Sequence, residues 1–309
     1  KKLQGLRGLP GPLKAALEQL PRNAHPMDVM RTGCSVLGTL EQEAEAHPVE
    51  GARAIADRLM ASFGSMLLYW HHYANSGKRI ETQTDDDSIG GHYLHLLHQK
   101  KPSAEWVRAM HTSLILYAEH EFNASTFTAR VVCSTESDLH SAITAAIGAL
   151  KGRLHGGANE KVMDLLRAAG GPETAEEWVR DALARKERVM GFGHRVYKTG
   201  DVRAGILKEY ARRAAEASGD TKWEETAAVI ERVLASEKNL FPNLDWPAGR
   251  LYYALGLEVP LYTPIFVMSR VAGWSAHVME QLAHNRLIRP RSRYTGPEVK
   301  GVKPLAERG

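Results

Sequence analysis

The chain of 309 residues is 43% hydrophobic and 25% charged, a composition typical of a soluble globular protein large enough for two domains. We expect neither a membrane span nor a signal peptide, because no apolar stretch reaches the roughly 18 residues that a bilayer requires and residues 1–22 lack an apolar core. The net charge of +4, spread without a long basic run, argues against nucleic-acid binding and favours small anions as partners, and two cysteines fit a reducing compartment.

Apolar residues recur at helical spacing along much of the chain. In chain order the pattern predicts helices at 1–20 with a break at 8–12, from residue 25, at 52–67, 93–97, 106–117 and 141–150, from about residue 159, and at 264–287. Thr174 with Glu177, and Thr221 with Glu224, have the spacing of capping boxes at two further helix starts. Almost nothing alternates with a period of two. The sequence therefore predicts an all-α fold whose functional site is built from loops.

A histidine lies where the apolar run 141–150 gives way to glycine, in the segment Lys-Gly-Arg-Leu-His-Gly-Gly-Ala-Asn-Glu at 151–160. Gly156 and Gly157 allow a sharp turn and a close approach to a ligand, and a helix is expected to start near Asn159. The positive end of that helix would oppose protonation of His155. A neutral imidazole can donate a hydrogen bond to a carbonyl oxygen. The alternative is a loop histidine that bonds the backbone.

Two later loops have comparable features. In segment 190–198 two glycines precede His194, but no third glycine follows and no strand precedes, so a dinucleotide-binding fingerprint is not indicated. In segment 241–247 Asp245 is held between two prolines among aromatic residues. Partial burial of Asp245 would raise its pKa and make it a useful base.

Other kinds of site are less well supported. His92, His95 and His98 have spacing i, i+3 and i+6, which does not place three side chains on one tight helical face, so we expect surface or interface histidines and no metal. The acidic run 85–87 predicts a solvated loop, because no phosphate-binding glycine loop accompanies it. The chain contains no Gly-x-Ser-x-Gly, which excludes a serine hydrolase of the esterase type.

Three motifs together resemble one known family. His-Gly-Gly-Ala-Asn-Glu at 155–160, Gly-Phe-Gly-His-Arg at 191–195 and Pro-Asn-Leu-Asp-Trp at 242–246 match, in order and spacing, the catalytic segments of the citrate synthase family. The resemblance runs through essentially the whole chain, and segments 25–33, 85–98 and 118–126 are closer to the methylcitrate branch than to housekeeping citrate synthases. The portion of the family chain that normally precedes Lys1 is expected to be absent from this sequence.

The resemblance implies an all-α, two-domain fold. A large domain would combine residues 1–154 with 250–309, and a small, mobile domain would span 155–249. The site would lie in the cleft between them, so that closure on oxaloacetate creates the acyl-CoA site and excludes water. The family also implies a homodimer, located in the bacterial cytoplasm or, if the source is eukaryotic, in the mitochondrial matrix.

The resemblance also implies a reaction. Members condense an acyl-CoA with oxaloacetate and then hydrolyse the thioester, without a cofactor, since the CoA thioester is a substrate. Asp245 would remove the α-proton, His155 would bind the thioester oxygen, and His194 would polarise the ketone of oxaloacetate. The methylcitrate branch uses propionyl-CoA. The alternatives are a citrate synthase that uses acetyl-CoA and a catalytically inactive helical interaction protein.

Arginine suits the two carboxylates of oxaloacetate, because its planar guanidinium binds a carboxylate through two hydrogen bonds. In this sequence the positions that match the oxaloacetate ligands of the family are His120, Arg203, Arg270 and Arg289. By resemblance Arg289 reaches the site of the other subunit, and Lys198 lies near the CoA phosphates. Val202 stands where the family commonly has proline, which loosens the turn before Arg203.

Overall fold

A computed structural model of the chain describes residues 1–41, 48–152, 154–194, 196–197, 199–298 and 301–308. Within these residues the chain forms α-helices, three short 3-10 helices and loops, with no β-strand, which confirms the predicted all-α class. The α-helices are α1 Gly11–Glu18, α2 Pro26–Leu40, α3 Pro48–Ser76, α4 Ile89–His98, α5 Ala104–Tyr117, α6 Ala124–Cys133, α7 Leu139–Leu150, α8 Ala158–Ala169, α9 Ala175–Ala184, α10 Val202–Ser218, α11 Lys222–Lys238, α12 Asp245–Ala254 and α13 Tyr262–Ala283.

Helix α13 is the centre of the larger group of helices. It packs against α3, α5, α6 and α7, and nearly every residue from Tyr262 to Val271 is buried. A helix surrounded on all sides needs apolar residues around its whole circumference, and α13 has them. Arg270 is an exception: it is 2% exposed in the middle of this helix. A guanidinium so placed needs hydrogen-bond partners or an anion, because burying an unpaired charge is costly.

The helices from α8 to α12 form a second group, in which α12 packs on α10 and α8 while α9 packs on α11. Arg250 of α12 is buried and joins this helix to α11. Its Nε and Nη2 donate to the two carboxylate oxygens of Glu224 at 2.6 and 3.3 Å, and its Nη1 donates to the carbonyl of Trp246 at 3.0 Å. This bidentate pair fixes α12, whose first residue is Asp245, on its neighbour.

The two predicted capping boxes are wrong, although the helix starts are right. Thr174 and Thr221 stand at the N-caps of α9 and α11, but neither side chain caps its helix. The Thr174 hydroxyl donates to the carbonyl of Ala169 instead, and Glu224 pairs with Arg250. At the second box the ion pair with Arg250 outcompetes the cap, since a bidentate ion pair is stronger than a neutral cap bond, and the Thr221 hydroxyl donates to Glu225.

The two groups of helices meet where α8 and α13 begin. The side-chain amide of Asn159 donates to the carbonyl of Tyr262 at 3.3 Å, and the backbone N–H of Thr263 donates to Glu160 Oε1 at 3.2 Å. Glu160 of α8 thus accepts a hydrogen bond from a backbone N–H that has no partner within α13. Among the described residues, no helix combines the length and the apolar character that crossing a membrane requires.

Candidate active site

The loop between α7 and α8 presents His155. Its tight path depends on Gly156, whose backbone N–H donates to the carbonyl of Leu150 at 3.0 Å. A Cβ at this glycine would lie 2.3 Å from that same oxygen, so a larger residue would displace the loop. Gly156 therefore allows the loop to pack closely against the end of α7.

Hydrogen bonds fix the tautomer of His155. The backbone N–H of Ser125 points at Nε2 from 3.2 Å, and the Ser125 hydroxyl lies 2.8 Å from the same nitrogen. Because a backbone amide can only donate, Nε2 accepts, and the hydrogen of the neutral ring is on Nδ1. Burial, and secondly the charge of Arg270, lower the pKa of His155 to about 4. His155 is thus the neutral N–H donor that the sequence predicts.

The His194 loop is joined to the loop that precedes α12. Gly193 donates from its N–H to the carbonyl of Phe241, and Asn243 donates from its own N–H to the carbonyl of Gly191, both at 2.9 Å. Gly191 and Gly193 have φ of 87° and 72°, in the left-handed region that favours glycine. The two glycines therefore shape the backbone around His194, and the loop carries this histidine next to the start of α12. A cavity of about 130 Å³ lies beside it, lined by Tyr197 and Phe241 among others.

His194 and His120 face each other. The backbone N–H groups of Val196 and Tyr197 donate to His194 Nδ1 at 3.0 and 3.2 Å, so the hydrogen of the neutral ring is on Nε2. That Nε2 is 3.1 Å from Nε2 of His120 and donates to it. Burial, followed by the charge of Arg203, lowers the pKa of His120. A neutral His120 thus accepts a hydrogen bond from the same Nε2–H of His194 that could be donated to a ketone oxygen.

Asp245 is the first residue of α12 and is partly buried. Burial raises its pKa, while the Tyr117 hydroxyl, which donates to Oδ1 at 2.6 Å, works in the opposite direction. This direction of the pKa shift of Asp245, and burial as its cause, agree with the prediction from the sequence. One carboxylate oxygen is held by Tyr117, which leaves Oδ2 to take a proton from a carbon acid.

Two of the predicted arginines converge on this space. Arg270 donates from Nε to the carbonyl of Tyr117 at 2.7 Å, and burial, with Arg203 second, lowers its pKa to about 10. Its charge also acts on the pKa of His120, His155 and Asp245, so Arg270 is a common neighbour of all three. The geometry brings together a base, two neutral donors and two cations, which suits a dianionic substrate beside a carbonyl compound.

Arg289 is not brought to the site of its own chain. Arg289 is exposed in the extended tail, where Nη1 donates to the carbonyl of Pro290 at 2.7 Å. Lys198, predicted near the CoA phosphates, lies outside the described residues.

Three residues at the site were missed by the sequence prediction as functional groups. Tyr117 contacts the base, Ser125 sets the tautomer of His155, and Asp201 binds Arg203 through two hydrogen bonds at 2.8 and 3.0 Å. Tyr117 and Ser125 act on residues that are distant in sequence. Only Asp201, two residues before an arginine at a helix start, had a local signal, that of an N-cap.

The histidines of α4 lie in different surroundings. His92 was expected at a surface or interface, but it is 1% exposed and lies between the hydroxyls of Ser65 and Thr84, with a pKa lowered to about 3 by burial. Within the described residues, one group of three side chains has its potential metal-ligand atoms within 4.8 Å of one another: Asp85, Asp86 and His95. His95 Nδ1 already pairs with Asp86 at 2.8 Å, and no further group points to a ligand.

Comparison with known proteins identifies the family. The model of the citrate synthase C-terminal domain matches residues 1–291. The 2-methylcitrate synthase of Shewanella oneidensis is 51% identical over 307 residues, covering 99% of this chain and 81% of that protein. Citrate synthase 2 of Bacillus subtilis is 46% identical over 286 residues, covering 93% and 77%.

A solved structure agrees with these matches. It is a ternary complex of carboxymethyl coenzyme A and oxaloacetate with citrate synthase from Thermoplasma acidophilum, which superposes with a TM-score of 0.90 at 33% identity and covers 99% of this chain and 82% of that one. The chain belongs to the citrate synthase family. It is a condensing enzyme of the transferase class.

Proposed function

We propose that the protein is a 2-methylcitrate synthase, which condenses propionyl-CoA with oxaloacetate and water to give 2-methylcitrate and CoA. The observation that carries the proposal is the convergence of Asp245, His155 and His120 around Arg270, with His194 bonded to His120, in a chain 51% identical to a 2-methylcitrate synthase. The reaction needs no cofactor, because the thioester supplies both the activated carbon and the energy of its own hydrolysis.

Oxaloacetate would bind first. Arg270, 2% exposed with one hydrogen bond to a backbone carbonyl, has donors left for a carboxylate. Arg203 can also use Nη1 to bind a carboxylate, because Nη1 makes only a long hydrogen bond of 3.4 Å to the carbonyl of Leu116. His194 would then turn its Nε2–H from His120 to the ketone oxygen of oxaloacetate, making the ketone carbon more electrophilic. His120 would become a second ligand of oxaloacetate.

The thioester would react next. Asp245 takes the α-proton while Nδ1–H of His155 donates to the thioester oxygen, because a carboxylate is too weak a base to form an unstabilised enolate. The enol(ate) carbon attacks the ketone carbon, and Nε2–H of His194 holds the new alkoxide by a hydrogen bond. The proton that Asp245 removed then neutralises the alkoxide, which leaves Asp245 ionised again. Water then hydrolyses the thioester, which releases CoA and the tricarboxylic acid.

The division into a large domain of 1–154 with 250–309 and a small domain of 155–249 remains a proposal. The two groups of packed helices support two domains, but the boundary between residues 249 and 250 would cut α12. Because Arg250 pairs with Glu224 of α11, all of α12 fits better in the small domain. The bond from Tyr117 to Asp245, and the contact from Arg203 to the carbonyl of Leu116, would each cross the cleft between these domains. Closure would tighten both contacts as it excludes water.

Substrate choice gives a direct test. With saturating oxaloacetate and equal concentrations of propionyl-CoA and acetyl-CoA, we expect mostly 2-methylcitrate, resolved from citrate by mass. Burial of the extra methyl group contributes about 0.8 kcal/mol, a few-fold in kcat/KM, so acetyl-CoA should be a poorer but real substrate. Mostly citrate would favour a citrate synthase instead, an alternative supported by the match to Bacillus subtilis citrate synthase 2. Release of CoA from neither thioester would indicate the inactive interaction protein.

We further propose a homodimer in which Arg289 completes the site of the partner subunit, in the cytoplasm of a bacterium or the mitochondrial matrix of a eukaryote. The support is that Arg289 is exposed and donates to the carbonyl of its neighbour Pro290, so that its guanidinium is not engaged at the site of its own chain.

Subunit exchange tests the role of Arg289. Arg289→Ala and His155→Ala proteins should each be inactive, yet their mixture should recover up to about a quarter of wild-type activity, because half of the dimers are mixed and each has one intact site. Exchange itself is verified with two affinity tags. If mixed dimers form and stay inactive, Arg289 acts within its own chain or has no role in the site.

A further inference from the structure

The carboxylate of Asp201 is saturated with hydrogen bonds from two parts of the site. Its side chain is 0% exposed. Oδ1 accepts from the backbone N–H and from Nε of Arg203, both at 3.0 Å. Oδ2 accepts from Nη2 of Arg203 at 2.8 Å and from the backbone N–H of Leu244 at 3.1 Å. Each oxygen therefore has two donors, which holds Asp201 in one orientation.

Asp201 determines which edge of Arg203 faces a substrate. A guanidinium has five N–H groups, and the edge formed by Nε and Nη2 is occupied by Asp201. The opposite edge, which includes Nη1, remains for a carboxylate of oxaloacetate. Burial alone would raise the pKa of Asp201, but its bonds and charge interaction with Arg203 outweigh burial and lower the pKa, so the carboxylate stays ionised.

The fourth hydrogen bond connects Asp201 to the base. Leu244 immediately precedes Asp245 and is the N-cap residue of α12. Its N–H would be one of the amides left without a helical partner at a helix start, and Asp201 satisfies it. Asp201, the N-cap residue of α10, therefore helps to fix the start of α12 and with it the position of the Asp245 carboxylate.

We propose that Asp201 is a positioning residue that couples the oxaloacetate-binding guanidinium of Arg203 to the base Asp245. The inference rests on the proposed function and deepens it. One carboxylate holds both groups, so a ligand that fixes Arg203 also fixes the start of α12. This links binding of the keto acid to alignment of the base for the second substrate.

The test compares Asp201→Asn with the wild-type chain. Asparagine still caps a helix, but its amide nitrogen would face two N–H donors, so two of the four hydrogen bonds are lost. We expect the Kd of oxaloacetate, measured by calorimetry, to rise about 10- to 100-fold, since hydrogen bonds between charged groups are lost. Asp138→Asn, the same change at the N-cap of α7, is the matched control and should change neither Kd nor kcat.

A pH profile distinguishes positioning from stability. The charged or titratable groups that face Asp245 are Tyr117, Arg203, Asp201 and Arg270. Asp201 is among the groups that raise the pKa of Asp245, and its removal also leaves Arg203 un-neutralised. In Asp201→Asn the acidic limb of kcat/KM for the acyl-CoA, at saturating oxaloacetate, should therefore move to lower pH.

The outcomes distinguish a positioning role of Asp201 from a purely structural role. A variant that only unfolds at lower temperature, with wild-type Kd and acidic limb, would overturn the positioning role. Asp201→Ser, which retains a helix cap without a carboxylate, is the second variant, and failure of both variants to fold would make Asp201 purely structural. A wild-type chain that binds oxaloacetate but condenses neither thioester would instead overturn the proposed function, while the change in Kd would still decide the role of Asp201.

Discussion

Replacing Asp245 by asparagine is expected to lower kcat by on the order of 10²- to 10⁴-fold, the usual contribution of a general base. Asparagine is close in shape and can still accept from the Tyr117 hydroxyl, which now donates to Oδ1 at 2.6 Å, so the start of α12 should be preserved. The Kd of oxaloacetate should change little, because the arginines and histidines bind the keto acid. Single-turnover kinetics and calorimetry measure the two quantities separately.

The pH dependence of the wild-type enzyme supports the same assignment. Burial raises the pKa of Asp245, and a base acts only when ionised, so activity should be lost as the pH falls through that raised pKa. The acidic limb is therefore expected above the ordinary range of an aspartate. Asp164→Asn, at a surface position on α8 that pairs with Lys161, is the control and should keep the wild-type profile. Loss of oxaloacetate affinity as large as the loss of turnover would refute the role of Asp245.

The helical class could be predicted from the sequence because α3, α5, α7 and α13 present apolar residues at helical spacing over many turns. Helix α12 was missed. It begins at Asp245 inside a segment with two prolines that indicates a turn, yet Pro247 lies in the first turn of the helix, where a missing N–H costs nothing. The base is thus placed by a helix start and not by a loop.

The candidate residues His155 and His194 could be found in the sequence, because glycines beside a histidine indicate an unusual backbone. Their proton positions could not. The hydrogen on Nδ1 of His155 follows from the backbone of Ser125, thirty positions earlier in the chain, and the hydrogen on Nε2 of His194 follows from the amides of Val196 and Tyr197. The contact to His155 depends on tertiary packing, and the contacts to His194 depend on a backbone turn whose exact shape the sequence pattern does not define.

Burial and a charge from a distant helix keep His155 neutral, and the sequence predicted neither. Burial is the largest cause of its lowered pKa, and the charge of Arg270, which comes from α13, is second. The distance in sequence between His155 and Arg270 explains why this could not be predicted. The same arginine acts on His120 and Asp245, so one buried cation sets the electrostatics of several groups.

Replacing Arg270 by lysine is therefore expected to have the second largest effect. The Kd of oxaloacetate should rise roughly 100-fold, about 2.7 kcal/mol, because an ammonium cannot bind a carboxylate through two parallel hydrogen bonds. Thermal unfolding should change little, since the lysine stem can still fill the space in α13. Arg79→Lys, at an exposed ion pair with Glu18, is the matched control and should leave the Kd of oxaloacetate unchanged.

The pH dependence of the lysine variant makes this prediction specific. Burial and Arg203 lower the pKa of Arg270 to about 10, so the wild-type cation persists across neutral pH. The same surroundings should lower the pKa of a lysine at this position from its ordinary value of about 10.4 towards neutrality. The affinity of Arg270→Lys for oxaloacetate should then fall further as the pH rises from about 7 to 9, while that of the wild type stays constant over the same range. Calorimetric titration at several pH values measures both, and an affinity of the variant that matches the wild type throughout would show that Arg270 does not bind the keto acid.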